Sequence, residues 1–458
     1  LTLTWSDLIE RTEALAEELT STGVGRGSRV GTVLRDHPNT LPALLAMWQL
    51  EAVPVLVDPE WGEAIRGGVL AHSRADSVLT IDERLEVAEI DVPGREGRPE
   101  LPPGTAMLAY TSGSTAAPKG IPLQHERLVA ALWGSAGKIS GYRGGPPARF
   151  GSSMRLSGFG VLALHYLWQA AFRTEVVVMP RLDLFSAGTY WEELERHRID
   201  QVVLVPALYE LLLRASRPGD HQHRPLFINS SGPLSPTSHS RFMERFGATV
   251  LNCYGLTETT FACMVGDTDE RGTTTQAVGR PDLMLVRLGG EDAAPGIVSE
   301  GEVEVRGPTV SGGYYDNDEA NAQVFSGPWL KTGDLGRRDE TGKYWIVGRL
   351  KDAVMKGGTT VYLTEVEEAC VALDGVLEAV AVRNDLPGGI EDLSVIVRPV
   401  EGAEADAGDL KLALDRVLGS GRGPRSVVVT DRDLPRIGQN KIDRRAAQEL
   451  WSELTARK

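Results

Sequence analysis

Residues 201–216 read QVVLVPALYELLLRAS. The apolar run fits a short buried strand, and the leucines after it fit a helix packed into a core rather than a binding groove. The same succession recurs outward in both directions. Upstream lie SRVGTVL at 28–34, LPALLAMWQL at 41–50, VPVLV at 53–57 and TEVVVMP at 174–180. Downstream lie RPLFINSSGPLSPTSHSRFMERF at 224–246 and ATVLNCYG at 248–255. Repeated strand–helix units with short apolar strands predict an α/β fold with mainly parallel sheets. The chain starts with a helix whose cap is Thr4 paired with Asp7 and whose end is Gly23.

The pattern changes after about residue 348. VYLTEVEEACVALDG at 361–375 reads as a short helix with Thr364 and Glu367 as its capping box. VLEAVAVRND, LSVIVRPV and RSVVVTD read as strands, and DLKLALDRVLGSG as a helix ended by glycines. Together they make an α+β unit of ordinary domain size. The join, GRLKDAVMKGG at 348–358, is charged and glycine-rich. There is no internal repeat and no low-complexity tract.

The 458 residues carry 48 basic and 63 acidic side chains, a net charge of −15. A nucleic-acid partner needs a basic footprint and is not expected, whereas a nucleotide ligand needs only local positive groups. No apolar run approaches a membrane span, so no membrane partner is expected. The N-terminus lacks a signal-peptide pattern. The first residue is Leu rather than Met, which leaves open whether the N-terminus is complete. Its three cysteines, Cys253, Cys263 and Cys370, form no CxxC pair. A reducing, cytoplasmic setting is the expectation. Cys253 has no base beside it in sequence and reads as a small buried residue, not a nucleophile. The HQH stretch with His221 and His223 reads as a surface loop, and these two with His239 are not expected to bind a metal.

Four stretches carry chemistry. YTSGSTAAPKG at 110–120 follows the apolar AMLAY and ends in Lys119. Its glycines and hydroxyls offer donors to a polyphosphate, and Lys119 adds the charge. It is not a Walker A loop, because Gly120 rather than Ser or Thr follows the lysine. NCYGLTETT at 252–260 supplies an aromatic that can stack on a base and a carboxylate, Glu258, suited to a phosphate-bridging Mg²⁺. WLKTGDLGRRDETGKYWIVGRLKD at 329–352 holds Asp334, suited to ribose hydroxyls, and Arg349. LPRIGQNKIDRRAA at 434–447 puts Lys441 before a tail helix. Taken singly, each has a plain alternative: a surface turn, a capped helix start, a surface ion pair, a solvated lysine.

In order along the chain stand AVPVLVDPEW, YTSGSTAAPKG, SSGPLSP, NCYGLTETT, GEVEVRGPTVSGGYY, TGDLGRRDETGKYWIVGRLKD and the Lys441 tail. This ordered set, spread over nearly the whole chain, resembles the adenylate-forming superfamily of acyl-CoA synthetases, peptide-synthetase adenylation domains and luciferases. The resemblance implies an α/β enzyme, with a large N-terminal domain of stacked sheets and helices and a small α+β C-terminal lid. Residues 1–348 would be the ATP- and acid-binding core, 349–352 a hinge centred on Lys351, and 353–458 a mobile domain. It implies ATP and Mg²⁺ as cofactors. A small-molecule carboxylic acid attacks the α-phosphate of ATP, acyl-adenylate forms and pyrophosphate leaves. A thiol, CoA or the phosphopantetheine of an acyl carrier protein, then takes the acyl group.

Residue by residue, the resemblance assigns Thr111, Ser112, Gly113, Ser114, Thr115 and Lys119 to the β- and γ-phosphates. It lays Ser231, Gly232 and Pro233 along the adenine, with Asn252, Tyr254 and Gly255 beside them. By the same resemblance Thr257 would contact phosphate, Glu258 would hold Mg²⁺, and Asp334 and Arg349 would bind ribose. Lys441 stabilises charge developing in the first step, and Lys356, Gly357 and Gly358 line the thiol tunnel. Candidates for the acid pocket are Arg155, Ser157, Gly158, Phe159, Ser230, Thr260 and Phe261. Three positions depart from the pattern: Ala116 stands where glycine is usual, Gln439-Asn440 leads into Lys441 where a glycine commonly precedes the lysine, and Arg155 stands near a usual histidine. No acidic residue falls between Arg149 and Phe172, so a standard α-amino acid is not the expected substrate. Arg155 either meets an anionic group on the substrate or pairs with a structural carboxylate. Two other functions stay open: transfer of the adenylate to an amine or other non-thiol nucleophile, and a non-catalytic nucleotide-binding protein. A free-standing ligase is the expectation.

Overall fold

In the computed structural model, strand Gln201–Leu204 is buried at all four positions. A strand covered on both faces needs no polar alternation, which is why it reads as a continuous apolar run. Pro206 opens the next helix, Pro206–Ala215, where its missing N–H costs nothing. The structure describes residues 3–81, 86–89, 97–111, 118–143, 145, 147–216, 223–266, 277–281, 284–292, 298–356, 359–386, 390–419, 421–437 and 441–456.

The described chain forms two units. The larger comprises residues 1–234, 238–286 and 305–330. Its first sheet orders Glu86–Glu89, Ser77–Thr80, Arg29–Val33, Val53–Val57, Thr105–Thr111 and Lys119–Gln124, parallel inside and antiparallel at both edges. Its second sheet orders Arg280–Pro281, Phe261–Val265, Thr249–Leu256, Leu226–Asn229, Gln201–Leu204, Arg149–Ser152 and Glu175–Val178. Pairing is parallel from Glu175–Val178 through Thr249–Leu256 and turns antiparallel at Phe261–Val265. A core of Trp191, Tyr209, Phe227, Phe242 and Phe246 holds the helices on this sheet. The first helix runs Trp5–Ser21, with the reciprocal Thr4–Asp7 cap expected of it.

The smaller unit comprises 235–237, 287–304 and 331–458. Strands Val376–Leu386 and Ile390–Pro399 pair antiparallel, and Val427–Val429 adds in parallel. Alternate residues face opposite sides. Ala379, Ala381, Val395 and Val397 pack with helices Leu363–Val371 and Ala407–Leu418. Val380, Val382 and Ile396 pack with the last helix, Arg444–Ala456. The capping box expected at Thr364 and Glu367 is not formed. Tyr362 is the N-cap, Thr364 lies inside the helix, and Glu367 turns to tertiary partners. The fold is α/β, with a large N-terminal part and a smaller α+β C-terminal part, as expected.

Candidate active site

The polar loop of residues 110–120 lies between strand Thr105–Thr111 and its antiparallel edge neighbour Lys119–Gln124, with Thr111 opposite Lys119 and Tyr110 opposite Gly120. Ser112, Gly113, Ser114, Thr115 and Ala116 lie outside the described residues. The glycine after the lysine has a steric reason. A Cβ at Gly120 would stand 3.0 Å from the Tyr110 ring across the hairpin. The Gly120 carbonyl also accepts from the Tyr315 N–H at 2.8 Å.

That bond brings in a residue that sequence reasoning missed. The Tyr314 ring centroid lies 4.8 Å from the Lys119 ammonium, a cation–π contact. The Tyr314 hydroxyl donates to Glu258 Oε1 at 2.8 Å. Asn321 clamps the Tyr314 backbone in both directions, at 2.6 and 2.9 Å. The Ser311 N–H donates to the Glu258 carbonyl at 2.7 Å. Lys119 and Glu258, 139 residues apart in number, thus share one aromatic bridge. The signal for it was the Tyr-Tyr pair closing GEVEVRGPTVSGGYY.

Glu258 sits in the single turn Thr257–Thr259 that follows strand Thr249–Leu256. The Thr259 hydroxyl accepts the Leu256 N–H at 2.9 Å. The next two residues are strained: Thr260 has φ +54° and Phe261 φ +106°. Strain of this kind persists where surroundings over-determine the backbone, and it gathers at functional sites. Here the Thr260 hydroxyl donates to the Thr309 carbonyl at 2.6 Å, and Phe261 is packed edge-on to Trp168.

The segment assigned to adenine is built on a second missed residue, Asn229. Strand register sets Asn229 against Asn252. Asn229 Nδ2 donates to the Gly232 carbonyl at 2.9 Å and to Asn252 Oδ1 at 3.0 Å. The carbonyl can only accept, so this orientation of the amide is fixed. Ser231 takes φ +67°, and Ser231 and Pro233 are exposed while Asn252 and Tyr254 are buried. Gly255 is exposed beside a register shift in the strand.

On the acid side, Arg155 pairs with Glu60 at 2.6 Å. Of the two partners open to it, a structural carboxylate is the one found. The Leu156 N–H donates to Asp36 Oδ1 at 2.9 Å, and burial raises the pKa of Asp36. Ser157, Phe159, Ser230, Thr260 and Phe261 are buried, and Gly158 is extended and partly exposed. Behind them residues Leu162–Leu167 form a π-helix, an element frequent near functional sites. Its His165 shares a 2.8 Å hydrogen bond with Ser152, and burial pushes its pKa down to about 3. Unfolded, it titrates near the ordinary value of about 6.5. Between those values only the unfolded chain takes the proton, so stability falls as pH drops through 6.5. At pH 5 the loss is about 2 kcal/mol. His165→Asn is expected to lose less melting temperature than the parent between pH 7 and pH 5. Equal losses in both proteins would refute this.

The smaller unit holds the remaining candidates. Asp334 and Arg349 face each other across paired strands, with Arg349 Nε 2.9 Å from Asp334 Oδ1. Asp334 is buried and Arg349 half-exposed. Lys351 lies in the turn Leu350–Asp352, and its pKa is lowered by burial and then by Arg349. Lys356 bonds Asp392 at 2.6 Å and the Gly423 carbonyl at 2.7 Å. Gly357 and Gly358, like Gln439 and Asn440, lie outside the described residues. Lys441 is described by its backbone alone, in strand Lys441–Ile442, paired opposite Ile437.

Burial pushes the Cys253 thiol up to about 12, which keeps it protonated and inert. His223 is bonded to the Ile199 carbonyl, and His239 is buried in helix Pro236–Phe246. His221 lies outside the described residues. Among the described residues no cluster of His, Cys, Asp and Glu suits a metal, and no helix is long and apolar enough to cross a membrane. A single carboxylate such as Glu258 still fits Mg²⁺, which takes one or two carboxylates and draws its other ligands from phosphates and water.

Residues 1–315 match the family described as AMP-binding enzyme. A sulfoacetate–CoA ligase of Cupriavidus necator is 29% identical, with 96% of this chain and 91% of that protein covered. A feruloyl-CoA synthase of an Amycolatopsis species is also 29% identical, covering 96% and 92%. The O-succinylbenzoate CoA synthetase of Bacillus subtilis, solved with ATP and magnesium, shares the fold with a TM-score of 0.82 at 22% identity, over 98% of this chain and 95% of that one. The chain belongs to the AMP-binding enzyme family and is an ATP-dependent ligase that activates a carboxylic acid as its adenylate and passes the acyl group to a thiol.

Proposed function

We propose that this enzyme is an acid–CoA ligase in which Lys119, Tyr314 and Glu258 form the polyphosphate end of the ATP site. The observation that carries this is the bridge itself: one tyrosine holds a cation and a carboxylate side by side. Polyphosphate needs both, the lysine for its charge and the carboxylate for the Mg²⁺ that accompanies it. Thr111 and the loop of Ser112, Gly113, Ser114 and Thr115 complete this end, with Thr257 on the α-phosphate. Asn252, Tyr254 and the Ser231–Pro233 turn take the adenine, and Asp334 with Arg349 takes the ribose.

In the first step the substrate carboxylate attacks the α-phosphorus and pyrophosphate departs. Lys441 stabilises the negative charge on the five-coordinate phosphorus and the attacking oxygen. In the second step the CoA thiolate attacks the acyl carbon and AMP leaves. The segment around Lys356, Gly357 and Gly358 lines the thiol's path, and Lys351 sits in the hinge at 349–352 that separates the two steps. Mg²⁺ supplies charge neutralisation on the phosphates when bound.

The absence of any acidic residue between 149 and 172 supports a substrate without an α-amine. CoA as acceptor and a cytoplasmic setting rest on the relatives' names and on the chain's cysteine usage. The test supplies ATP, Mg²⁺ and a panel of aryl, acyl, dicarboxylic and β-amino acids, with CoA, phosphopantetheinylated carrier protein or an amine as acceptor. Acyl-CoA formed with one acid class, in molar balance with AMP, supports the proposal. Amide or carrier thioester in its place refutes CoA as the acceptor.

A further inference from the structure

Three consecutive residues fasten the strand that carries Lys441. Ile442 packs in the core under the last helix. The Asp443 N–H donates to the Pro435 carbonyl at 2.9 Å, and its carboxylate caps the helix by accepting from the N–H groups of Arg445 and Ala446, each at 3.1 Å. Arg444 then reaches away from the helix. Its guanidinium forks onto both oxygens of Glu367, the Nη2–Oε2 arm measuring 3.2 Å, and donates to the Ala381 carbonyl at 3.1 Å. Its Nε lies 3.3 Å from Asp352 Oδ2. Glu367 also accepts from the Ala381 N–H at 2.8 Å. None of the three charged side chains is more than 22% exposed.

One guanidinium therefore ties together four segments: the helix Leu363–Val371, the strand Val376–Leu386, the turn Leu350–Asp352 and the start of the last helix. Seating that helix does not require the ions. Ala447, Leu450, Trp451 and Leu454 already pack against Val380, Val382 and Ile396. Burying charges is a poor way to gain stability, because desolvation offsets the attraction. What a planar, forked guanidinium adds is direction. Here the direction runs from the last residue of the hinge segment to a point three residues after Lys441.

We propose that Asp352, Arg444 and Glu367 are positioning residues that make the end of the hinge and the Lys441 strand one rigid piece, so that Lys441 arrives in register for adenylate formation. This rests on the reading that Lys441 serves the first step and not the second. The enzyme and its Arg444→Met, Arg444→Lys, Glu367→Gln and Lys441→Ala variants are assayed in two ways: acid-dependent exchange of labelled pyrophosphate into ATP, and thioester formation from supplied acyl-adenylate and CoA. A catalytic group displaced by about 1 Å costs on the order of 10²-fold. Arg444→Met and Glu367→Gln should lose exchange on that order and keep thioester formation, with Arg444→Lys recovering part of the exchange. Undiminished exchange in Lys441→Ala removes the underlying reading and the triad's role with it. Loss in Lys441→Ala beside full exchange in Arg444→Met and Glu367→Gln removes the triad's role alone. Equal loss of both half-reactions with a lowered melting temperature, seen in the milder Glu367→Gln as well, makes the triad merely structural and overturns the proposal.

Discussion

Replacing Lys441 with Ala is expected to lower acid-dependent pyrophosphate exchange by about 10²–10³-fold, the usual cost of deleting one group aimed at transition-state charge. The loss belongs in kcat, because the lysine meets charge that exists only as the phosphorus becomes five-coordinate. Affinity for ATP should change little, since Lys119, Glu258 and the Asp334–Arg349 pair remain. Thioester formation from supplied acyl-adenylate should also persist, because that step breaks no phosphoanhydride. Melting temperature should be unchanged: Lys441 lies in a two-residue strand whose seat comes from Ile442 and from the bonds of Asp443 and Arg444. A variant that loses both half-reactions together would place Lys441 in the fold rather than in the chemistry.

The second large effect is expected at Glu258. Glu258→Gln keeps an oxygen to accept from the Tyr314 hydroxyl, so the 2.8 Å bridge and the turn Thr257–Thr259 should survive. What disappears is one negative charge facing the phosphates' counter-ion. Exchange should fall by about 10²-fold and the Mg²⁺ concentration for half-maximal rate should rise, because Mg²⁺ gives up a carboxylate ligand for a neutral amide. Tyr314→Phe separates the two roles of the bridge, since it keeps the ring under Lys119 and removes only the hydroxyl. An unchanged Mg²⁺ requirement in Glu258→Gln would refute the metal role, whatever happened to the rate.

The difference between what the sequence disclosed and what it hid follows from the range of the interactions. Gln201–Leu204 was readable as a strand because burial on both faces leaves an apolar run in one continuous stretch. Lys119, Glu258, Asp334 and Arg349 were legible as candidates because each stands in a short motif that belongs to an ordered set along the chain. Tyr314 and Asn229 were not. Tyr314 acquires its role from a cation 195 positions away and a carboxylate 56 positions away. Asn229 acquires its role from strand register, which sets it against Asn252. Thr364 and Glu367 show a local signal overruled. The spacing suits a capping box, yet the helix begins two residues earlier than that box requires. Glu367 instead meets the partly buried Arg444, and a fork between full charges outweighs a cap bond. Arg155 was left between two partners by sequence, and tertiary structure supplies Glu60.

The most direct measurement is exchange of labelled pyrophosphate into ATP by the purified enzyme, with acid present and CoA withheld. Exchange that needs the acid and Mg²⁺ and proceeds without CoA is the predicted result, because the adenylate forms, reverses and never requires the thiol. Exchange that appears only when CoA is added, or ATP cleaved to ADP and phosphate in step with product, would contradict the adenylate route.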